Sequence, residues 1–212
     1  PMGAAIHDYY HTGKAEVLRV FSSEFEEDEI PVEDLFREYD DMPLLEQVAL
    51  DLAEGSVLDV GAGSGCHSIA LQQMGKDAVA IDISALSVSV MKERGLDARL
   101  VDFYDESFTE RFNTVIMLMN GTGIIGRLEN MQKFFNRIKY LLAPGGRVIV
   151  DSSDLRYLYE EEDGSLMITI ARAEGVDWDP LKDLTAKAYY VLAEDFKMPP
   201  VKIFLEKTSP VG

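Results

Sequence analysis

The sequence predicts an α/β fold: a doubly wound, mostly parallel sheet with helices on both faces and an N-terminal helical lid. From Val57 onward, short apolar runs alternate with stretches of helical period, which is the pattern of βαβ units. The first of these runs leads into a loop containing three glycines. Residues before it have helical rather than strand periodicity. We therefore expect an N-terminal helical segment over residues 1–53 and a sheet domain over residues 54–212.

Two apolar stripes predict the helices of the N-terminal segment. The first contains Val17, Leu18 and Phe21, and the second contains Leu44, Leu45, Val48, Ala49 and Leu52. The acidic stretch between them, Glu24 to Glu29, is interpreted as a solvated loop. The aromatic residues expected to fold over a bound ligand as a lid are Tyr9 and Tyr10, with His11, and the run from Phe36 to Met42.

Five apolar runs predict the strands of the sheet, over residues 57–60, 78–81, 98–101, 114–119 and 147–150. Helices are predicted between them over residues 64–74 and 84–94, the second capped by Ser84 and closed by Gly95. The apolar stripe of a third helix contains Leu128, Met131, Phe135, Ile138 and Leu142. A turn at residues 144–146 leads into the fifth strand.

Beyond the fifth strand, the pattern predicts a hairpin turning at residues 160–164, with a strand over 166–170 and a last strand over 201–206. Residues 181–192 fit a helix, although 188–192 fit a strand equally well.

Charge and cysteine content exclude several function classes. Lys and Arg total 20 against 38 Asp and Glu, a net charge of −18 that repels phosphate backbones and makes nucleic acid a poor partner. Small molecules or basic proteins fit better. The single cysteine, Cys66, excludes an internal disulfide, and with three histidines it leaves no zinc-type ligand set, so no metal is predicted.

The sequence also indicates where in the cell the protein is located. No apolar run approaches the roughly 20 residues of a membrane span, and the N-terminus has no basic segment followed by an apolar one. We therefore expect neither insertion nor secretion, and a cytoplasmic protein.

The glycine-rich loop is the strongest candidate binding element. Gly61, Gly63 and Gly65 connect a strand to a helix, so a ligand can approach bare backbone and the N–H groups of the helix start. The dinucleotide fingerprint requires a glycine where Cys66 stands, which makes a pyrophosphate less suitable. Asp59 interrupts an apolar strand end, where a carboxylate needs a cation such as the ammonium of a bound amino acid, or several donors.

Two further carboxylates follow strands two and three. Asp82 lies 21 residues after Gly61, a position from which a carboxylate accepts hydrogen bonds from ribose hydroxyls. Asp102 with Phe103 offers an acceptor and an apolar ring, which suit an adenine. The alternative for Asp102 is that it caps nearby amides.

These residues resemble the motif series of class I S-adenosylmethionine-dependent methyltransferases, which have a Rossmann-like fold. Five ordered segments carry the resemblance, over residues 58–65, 80–84, 101–103, 112–121 and 141–146. The resemblance implies that S-adenosylmethionine is the cofactor and that methyl is transferred to an unidentified small-molecule acceptor. By the same resemblance, the cofactor-binding residues are Asp59, Gly61, Ala62, Gly63, Gly65, Asp82, Ile83, Asp102, Phe103, Met119 and Asn120. The Asp- or Asn-Pro-Pro-aromatic signature of enzymes that methylate bases or glutamine side chains is replaced by Met119-Asn120-Gly121.

The acceptor is expected beyond the carboxyl ends of the strands. Candidates for contact with it are Asn120, Asp151, Ser152, Ser153 and Asp154, although capping and turn formation explain residues 151–154 equally well. Catalytic candidates are Asn120, Asp151 and His11 as a base. For His67, in the first turn after the glycine loop, packing is favoured over catalysis.

Two other functions share this predicted fold. An NAD(P)-dependent oxidoreductase uses the same type of sheet, but Asp59, Cys66 and Asp102 argue against it. A non-catalytic module that binds S-adenosylmethionine or S-adenosylhomocysteine would have the same pocket as an enzyme.

Overall fold

The computed structural model describes residues 1–21 and 28–151. The elements before the sheet are helix α1 (Met2–Thr12), strands β1 (Leu18–Val20) and β2 (Asp28–Ile30), two short 3-10 helices (Val32–Phe36 and Tyr39–Asp41) and helix α2 (Leu44–Leu52). The sheet and its helices are β3 (Ser56–Val60), α3 (Cys66–Gln73), β4 (Asp77–Asp82), α4 (Ala85–Glu93), β5 (Asp97–Leu100), β6 (Phe112–Met117), α5 (Met131–Leu141) and β7 (Leu142–Val150). Two more 3-10 helices, Gly121–Ile125 and Leu128–Asn130, lie between β6 and α5.

The five sheet strands are parallel and lie in the order β5-β4-β3-β6-β7. The order reverses direction between β3 and β6, and ligands of open α/β sheets bind beside such a reversal. Val57 and Ile116 share one core cluster with residues of α2 and α3. Leu58 and Val115, one position along each strand, therefore point to the opposite face. The predicted α/β sheet fold is confirmed.

The predicted first helix around Val17 and Leu18 is wrong, because Leu18–Val20 is a strand. It pairs antiparallel with β2, Leu18 opposite Ile30. Helix α1 has already ended at Gly13, which is in the left-handed conformation. The side chains of Val17, Val20 and Phe21 are exposed by 48%, 44% and 73%. These apolar residues therefore form no buried helical stripe, and such a short apolar set does not separate helix from strand.

In α2 and α5 the buried faces differ from the predicted stripes because each helix buries a charged residue. Helix α2 buries Glu46 with Ala49 and Leu50, while Leu44 is 58% exposed. In α5, the guanidinium of Arg137 donates to the backbone carbonyls of three residues that precede β6, at 2.7–2.8 Å. Beside that buried anchor, Phe134 and Leu141 join the predicted Ile138 in the core in place of Phe135, and Leu142 begins β7.

Strand β7 begins five residues earlier than predicted, because Leu142 already pairs with β6 and a register shift separates it from the pairs that begin at Arg147. Phe112 is opposite Leu142, and Thr114 is opposite Arg147. Gly146 makes this close approach possible. A Cβ atom there would lie 2.9 Å from the carbonyl oxygen of Ala143 and 3.0 Å from those of Phe112 and Asn113.

Several predictions lie outside the described residues: the elements over 160–206, the acceptor candidates Ser152, Ser153 and Asp154, and most of the acidic stretch from Glu24 to Glu29. The boundary between segments 1–53 and 54–212 stays a prediction. Within residues 1–21 and 28–151, no helix is long and apolar enough to cross a membrane.

Candidate active site

The glycine loop follows β3 at the carboxyl edge of the sheet and exposes bare backbone. Gly61 and Gly63 have φ angles of 71° and 59°, which side-chain-bearing residues rarely adopt. A Cβ atom at Gly61 would approach only Ile124 Cδ1, and one at Gly63 only Ile6 Cδ1, each at 3.8 Å. There is therefore room above these two glycines for a ligand. Ala62, between them, is buried and donates its N–H to the carbonyl of Ile81 at 3.1 Å.

Gly65 differs from Gly61 and Gly63, because neighbouring side chains pack closely against it. Its φ is 83°, and a Cβ atom there would lie 2.4 Å from Leu96 Cδ1 and 3.0 Å from Met91 Cγ. It stands at the cap of α3, so it lets the helix start close to α4 and the residues after it. The predicted contact between Gly65 and the cofactor stays a prediction.

Asp82 ends β4 beside the glycine loop. One carboxylate oxygen accepts the Gly63 N–H at 2.9 Å, and the other accepts the Ser84 N–H at 2.8 Å. Each oxygen keeps a second lone pair for another donor. The half-buried Asp82 is thus held where it can accept hydroxyl groups, and the next residue, Ile83, is 76% exposed.

Asp59 lies beneath the loop and is 2% exposed. Ser68, in the first turn of α3, donates its hydroxyl to the Asp59 carboxylate at 2.7 Å. Burial raises the pKa of this carboxyl, against the opposing influence of His67 and the Ser68 hydrogen bond. The sequence left two kinds of partner open, a cation such as a ligand ammonium or several donors, and the structure supplies one internal donor, Ser68.

Asp102 and Phe103 follow β5. Asp102 is exposed, and its carboxylate accepts the Tyr104 N–H at 2.8 Å. This contact corresponds to the alternative in which Asp102 caps a nearby amide. The ring of Phe103 is 4% exposed and lies 5.5 Å from the ring of Phe134, so it offers a ligand little surface. The exposed apolar side chains at this edge are Ile83 and Leu100, the latter 57% exposed. Leu100 was not among the candidate residues.

Met119, Asn120 and Asp151 come together where β6 and β7 end. Met119 is 40% exposed. The Asp151 carboxylate accepts the N–H groups of Met119 and Gly121, both at 2.8 Å. Burial raises the pKa of this carboxyl, although the backbone hydrogen bonds oppose the shift. Asp151 therefore directs both oxygens at the chain's own backbone.

His11 lies away from this edge. Its Nδ1 donates to the His7 carbonyl at 2.9 Å, and its Nε2 lies 3.1 Å from Glu93 Oε2. The carbonyl of His7 and the charge of Glu93 raise the pKa of the His11 imidazole, against its desolvation. Glu93 is the last residue of α4, a helix of 9 residues whose other end follows Asp82. That places His11 roughly 13 Å along the helix from the end of α4 that follows Asp82, and its role as a base stays a prediction.

The N-terminal segment packs on the glycine loop from outside. The Ser64 hydroxyl donates to the carbonyl of Leu35. Arg94 donates to the Ser64 carbonyl at 2.7 Å, and its guanidinium lies 5.0 Å from the centre of the Phe36 ring. Tyr9 packs on the same ring at 5.0 Å. These contacts support the predicted lid, which stays a prediction.

A buried ion-pair cluster joins α2 to the first turn of α3, and the sequence did not predict it. Glu46 accepts a hydrogen bond from Arg37 on one oxygen and lies 2.8 Å from His67 Nε2 through the other. The side chains are exposed by 14% for Arg37, 8% for Glu46 and 5% for His67. Burial alone would raise the pKa of the Glu46 carboxyl, but the hydrogen bonds from His67 and Arg37 hold the pKa below its ordinary value. The one sequence signal was a glutamate inside an apolar stripe.

The chain resembles known proteins of one class. A family model described as a methyltransferase domain matches residues 52–194. The crystal structure of an S-adenosylmethionine-dependent methyltransferase from Bacteroides fragilis, in complex with S-adenosyl-L-homocysteine, is 64% identical with a TM-score of 0.74. That match covers 78% of this chain and 70% of the other.

A curated relative, the cypemycin N-terminal methyltransferase of Streptomyces sp., is 32% identical over 103 residues. These residues make up 47% of this chain and 42% of that enzyme, so the match spans less than half of either protein.

Proposed function

Because this chain belongs to the S-adenosylmethionine-dependent methyltransferase family, we propose that it transfers the methyl group of its cofactor to a small-molecule acceptor. The observation that carries the proposal is the open backbone at Gly61 and Gly63 beside the Asp82 carboxylate. Family membership weighs against the NAD(P)-dependent oxidoreductase. Turnover separates an enzyme from a module that only binds the cofactor.

The described residues fit S-adenosylmethionine. Bare backbone at Gly61 and Gly63 suits the amino-acid part, and the free lone pairs of Asp82 suit the ribose hydroxyls. The exposed side chains of Ile83 and Leu100 provide an apolar surface for adenine. When bound, S-adenosylmethionine supplies a methyl group on a sulfonium, which is displaced in line by the acceptor.

The chain's contribution is to bind, orient and exclude water. An in-line displacement gains much of its rate from holding the reacting atoms in alignment. Among the described residues, Met119 and Asn120 lie at the strand-order reversal where the acceptor is expected. We assign them to the wall of the acceptor space, and their predicted contact with the amino-acid end of the cofactor stays a prediction.

We infer further that the acceptor atom is an amine nitrogen. The net charge of −18 attracts cations such as the ammonium form of an amine and raises their local concentration. The nitrogen must release its proton to solvent before its lone pair can bond to the methyl carbon as the carbon–sulfur bond breaks and S-adenosylhomocysteine leaves. The cypemycin relative, by its name, methylates an N-terminus. The same charge disfavours nucleic acid, and the lone, buried Cys66 fits a cytoplasmic location.

The cofactor assignment is tested by calorimetry with S-adenosylhomocysteine on matched variants. Asp82 and Asp77 lie at opposite ends of β4, so both substitutions remove one carboxylate from the same strand. Asp82→Ala should weaken binding by about 10- to 100-fold, the worth of hydrogen bonds to a charged group, and Asp77→Ala should leave it unchanged. Equal affinity of all three proteins would contradict the proposed site.

Turnover is tested with S-adenosylmethionine carrying a deuterated methyl group, incubated with equimolar mixtures of small amines, phenols and carboxylic acids. Mass spectrometry should find the label on amines. Label on phenols alone would reject the amine assignment. Binding without any labelled product would favour the non-catalytic module.

A further inference from the structure

The segment after β6 contains an unusual backbone conformation. Met119 and Asn120 have φ angles of 61° and 68°, and they are the only non-glycine residues with positive φ in the part of the chain that the structure describes. A Cβ atom crowds the backbone in this conformation, so two such residues in succession are held there by their surroundings. Strain of this kind is concentrated at functional sites.

The surroundings that hold this turn come mainly from one side chain. Asp151 accepts the Met119 N–H on Oδ2 and the Gly121 N–H on Oδ1, both at 2.8 Å. Its own N–H donates to the Met117 carbonyl at 3.2 Å. The carboxylate therefore spans the two strained residues and fixes the amides on either side of them.

Gly121 completes the arrangement through its small size. A Cβ atom there would lie 2.5 Å from Met117 Cβ, inside contact distance, and 3.7 Å from Asp151 Oδ1. The turn thus folds back tightly over the end of β6. The carboxylate oxygens and the strand end hold the start of the turn, and the Gly123 N–H, which donates to the Asn120 carbonyl at 2.8 Å, holds its other side.

The turn begins the segment that lies beside the glycine loop. Strands β3 and β6 are neighbours in the sheet, so the loops that follow them leave the same edge side by side. The segment that begins at Met119 reaches the loop through Ile124, whose Cδ1 lies 3.8 Å from the Cβ position of Gly61. A molecule lying on the glycine loop would therefore lie beside the segment that begins with the Met119 turn.

We propose that Asp151 is a positioning residue that holds the strained Met119–Asn120 turn as a wall of the methyl-transfer space. This proposal rests on the proposed function for the reaction that it serves. A cap that only stabilised the fold would not need to hold two residues in an unfavourable conformation. Because of this strain, the turn keeps its conformation only while the Asp151 carboxylate holds it. If the strain is relieved, the conformation should no longer depend on Asp151.

The test compares the wild type with Asp151→Asn. An amide has one acceptor oxygen and turns its NH2 group towards the other backbone N–H, so the turn loses one of its two anchors. The amides of residues 119–121 should exchange hydrogen at least about tenfold faster. Transfer of the labelled methyl to the amine mixture should fall by on the order of 10- to 100-fold, while the Kd for S-adenosylhomocysteine stays within about threefold.

Two further variants separate positioning from general stability. Met119→Gly with Asn120→Gly, added to Asp151→Asn, should bring hydrogen exchange at residues 119–121 back towards the wild-type rate because glycine adopts positive φ without strain. Transfer should stay low in this variant, because the two side chains assigned to the wall are missing. Asp151→Glu keeps the charge but moves the acceptor oxygens by one methylene, so it should also reduce transfer. It replaces Asp151→Asn in the test if that variant does not fold. The control is Asp105→Asn, another carboxylate that accepts a backbone amide, from Ser107 at 2.9 Å, and it should change nothing.

Unchanged exchange at residues 119–121 in Asp151→Asn would overturn the proposal. Faster exchange with undiminished transfer would overturn it as well. If the wild type itself transferred no methyl, the proposed function would fail. Exchange would then still decide whether Asp151 holds the turn, so the two failures are distinguishable.

Discussion

The Nε2 atom of His67 lies 2.8 Å from Oε2 of Glu46, and both side chains are buried. His67 is in the first turn of α3, next to Ser68, which donates to Asp59. Glu46 belongs to α2 and also binds Arg37. One glutamate thus links the N-terminal segment to the helix that begins at the glycine loop.

Loss of the Glu46 carboxylate should strongly destabilise the fold. Glu46→Ala leaves the half-buried Arg37 guanidinium without its counter-charge, and breaking a buried pair costs about 3–5 kcal/mol. The free energy of unfolding is measured by urea titration. Glu129, whose side chain is 73% exposed and lies 3.8 Å from Arg127, provides the control, because Glu129→Ala should change stability by less than about 0.5 kcal/mol. Similar losses in both variants would show that the buried cluster has no special importance.

The same carboxyl should make stability depend on pH. Its pKa in the folded protein lies below its ordinary value of 4.5, so its ionised form stabilises the fold above that value, and the contribution is lost as the pH falls through the folded pKa. The difference in Tm between the wild type and Glu46→Gln should therefore be largest near neutral pH and shrink in acid. The carboxyls of Asp59 and Asp151, whose pKa values are raised, shift in the opposite sense but are present in both proteins. A difference that grew on acidification would contradict the assignment.

Gly65 and Gly75 should respond differently to the same substitution. Both have positive φ, but a Cβ atom at Gly75 meets nothing within 4 Å, whereas one at Gly65 would lie 2.4 Å from Leu96 Cδ1. Gly75→Ala should cost about 1–2 kcal/mol from backbone strain alone, and Gly65→Ala should cost about 1–3 kcal/mol more from overpacking. Thermal unfolding compares the two, and equal Tm values would show that the space at Gly65 relaxes freely.

Cys66 should resist alkylation in the folded protein. Burial raises the pKa of its thiol to about 11, so little thiolate, the reactive form, exists near neutral pH. Iodoacetamide at pH 7.5 should label the native protein far more slowly than the urea-unfolded protein, as followed by intact mass. Rapid labelling of the native protein would place the thiol at the surface.

The sequence predicted the sheet because its signals are local. Each strand is a short apolar run, and Ser84 and the loop glycines mark the junctions by their own conformational preferences. The described part of the fold and the cofactor class could therefore be obtained from residues near one another in the chain. Within the five-stranded sheet, the register shift at β7 was missed, because it depends on a contact between Gly146 and carbonyl groups over 30 residues away.

The partners of charged side chains could not be predicted in this way. The Arg137 guanidinium donates to the carbonyl of Phe103. The Asp59 carboxylate accepts a hydrogen bond from the Ser68 hydroxyl, nine residues further along the chain. His11 was chosen for its imidazole, and the packing of α1 on α4 decided its position instead. The type of a residue indicates which groups its side chain can bind, whereas the tertiary structure decides which of those groups lies next to it.

Gly146 also limits how the chain can vary in length. It is wedged among three carbonyl oxygens, so β7 cannot slide along β6, and Asp151 stands a fixed number of residues further on. Successive side chains alternate between the two faces of a strand, so one residue added or removed between these points would turn the carboxylate to the opposite face. This stretch therefore tolerates exchanges of side chains more readily than insertions or deletions.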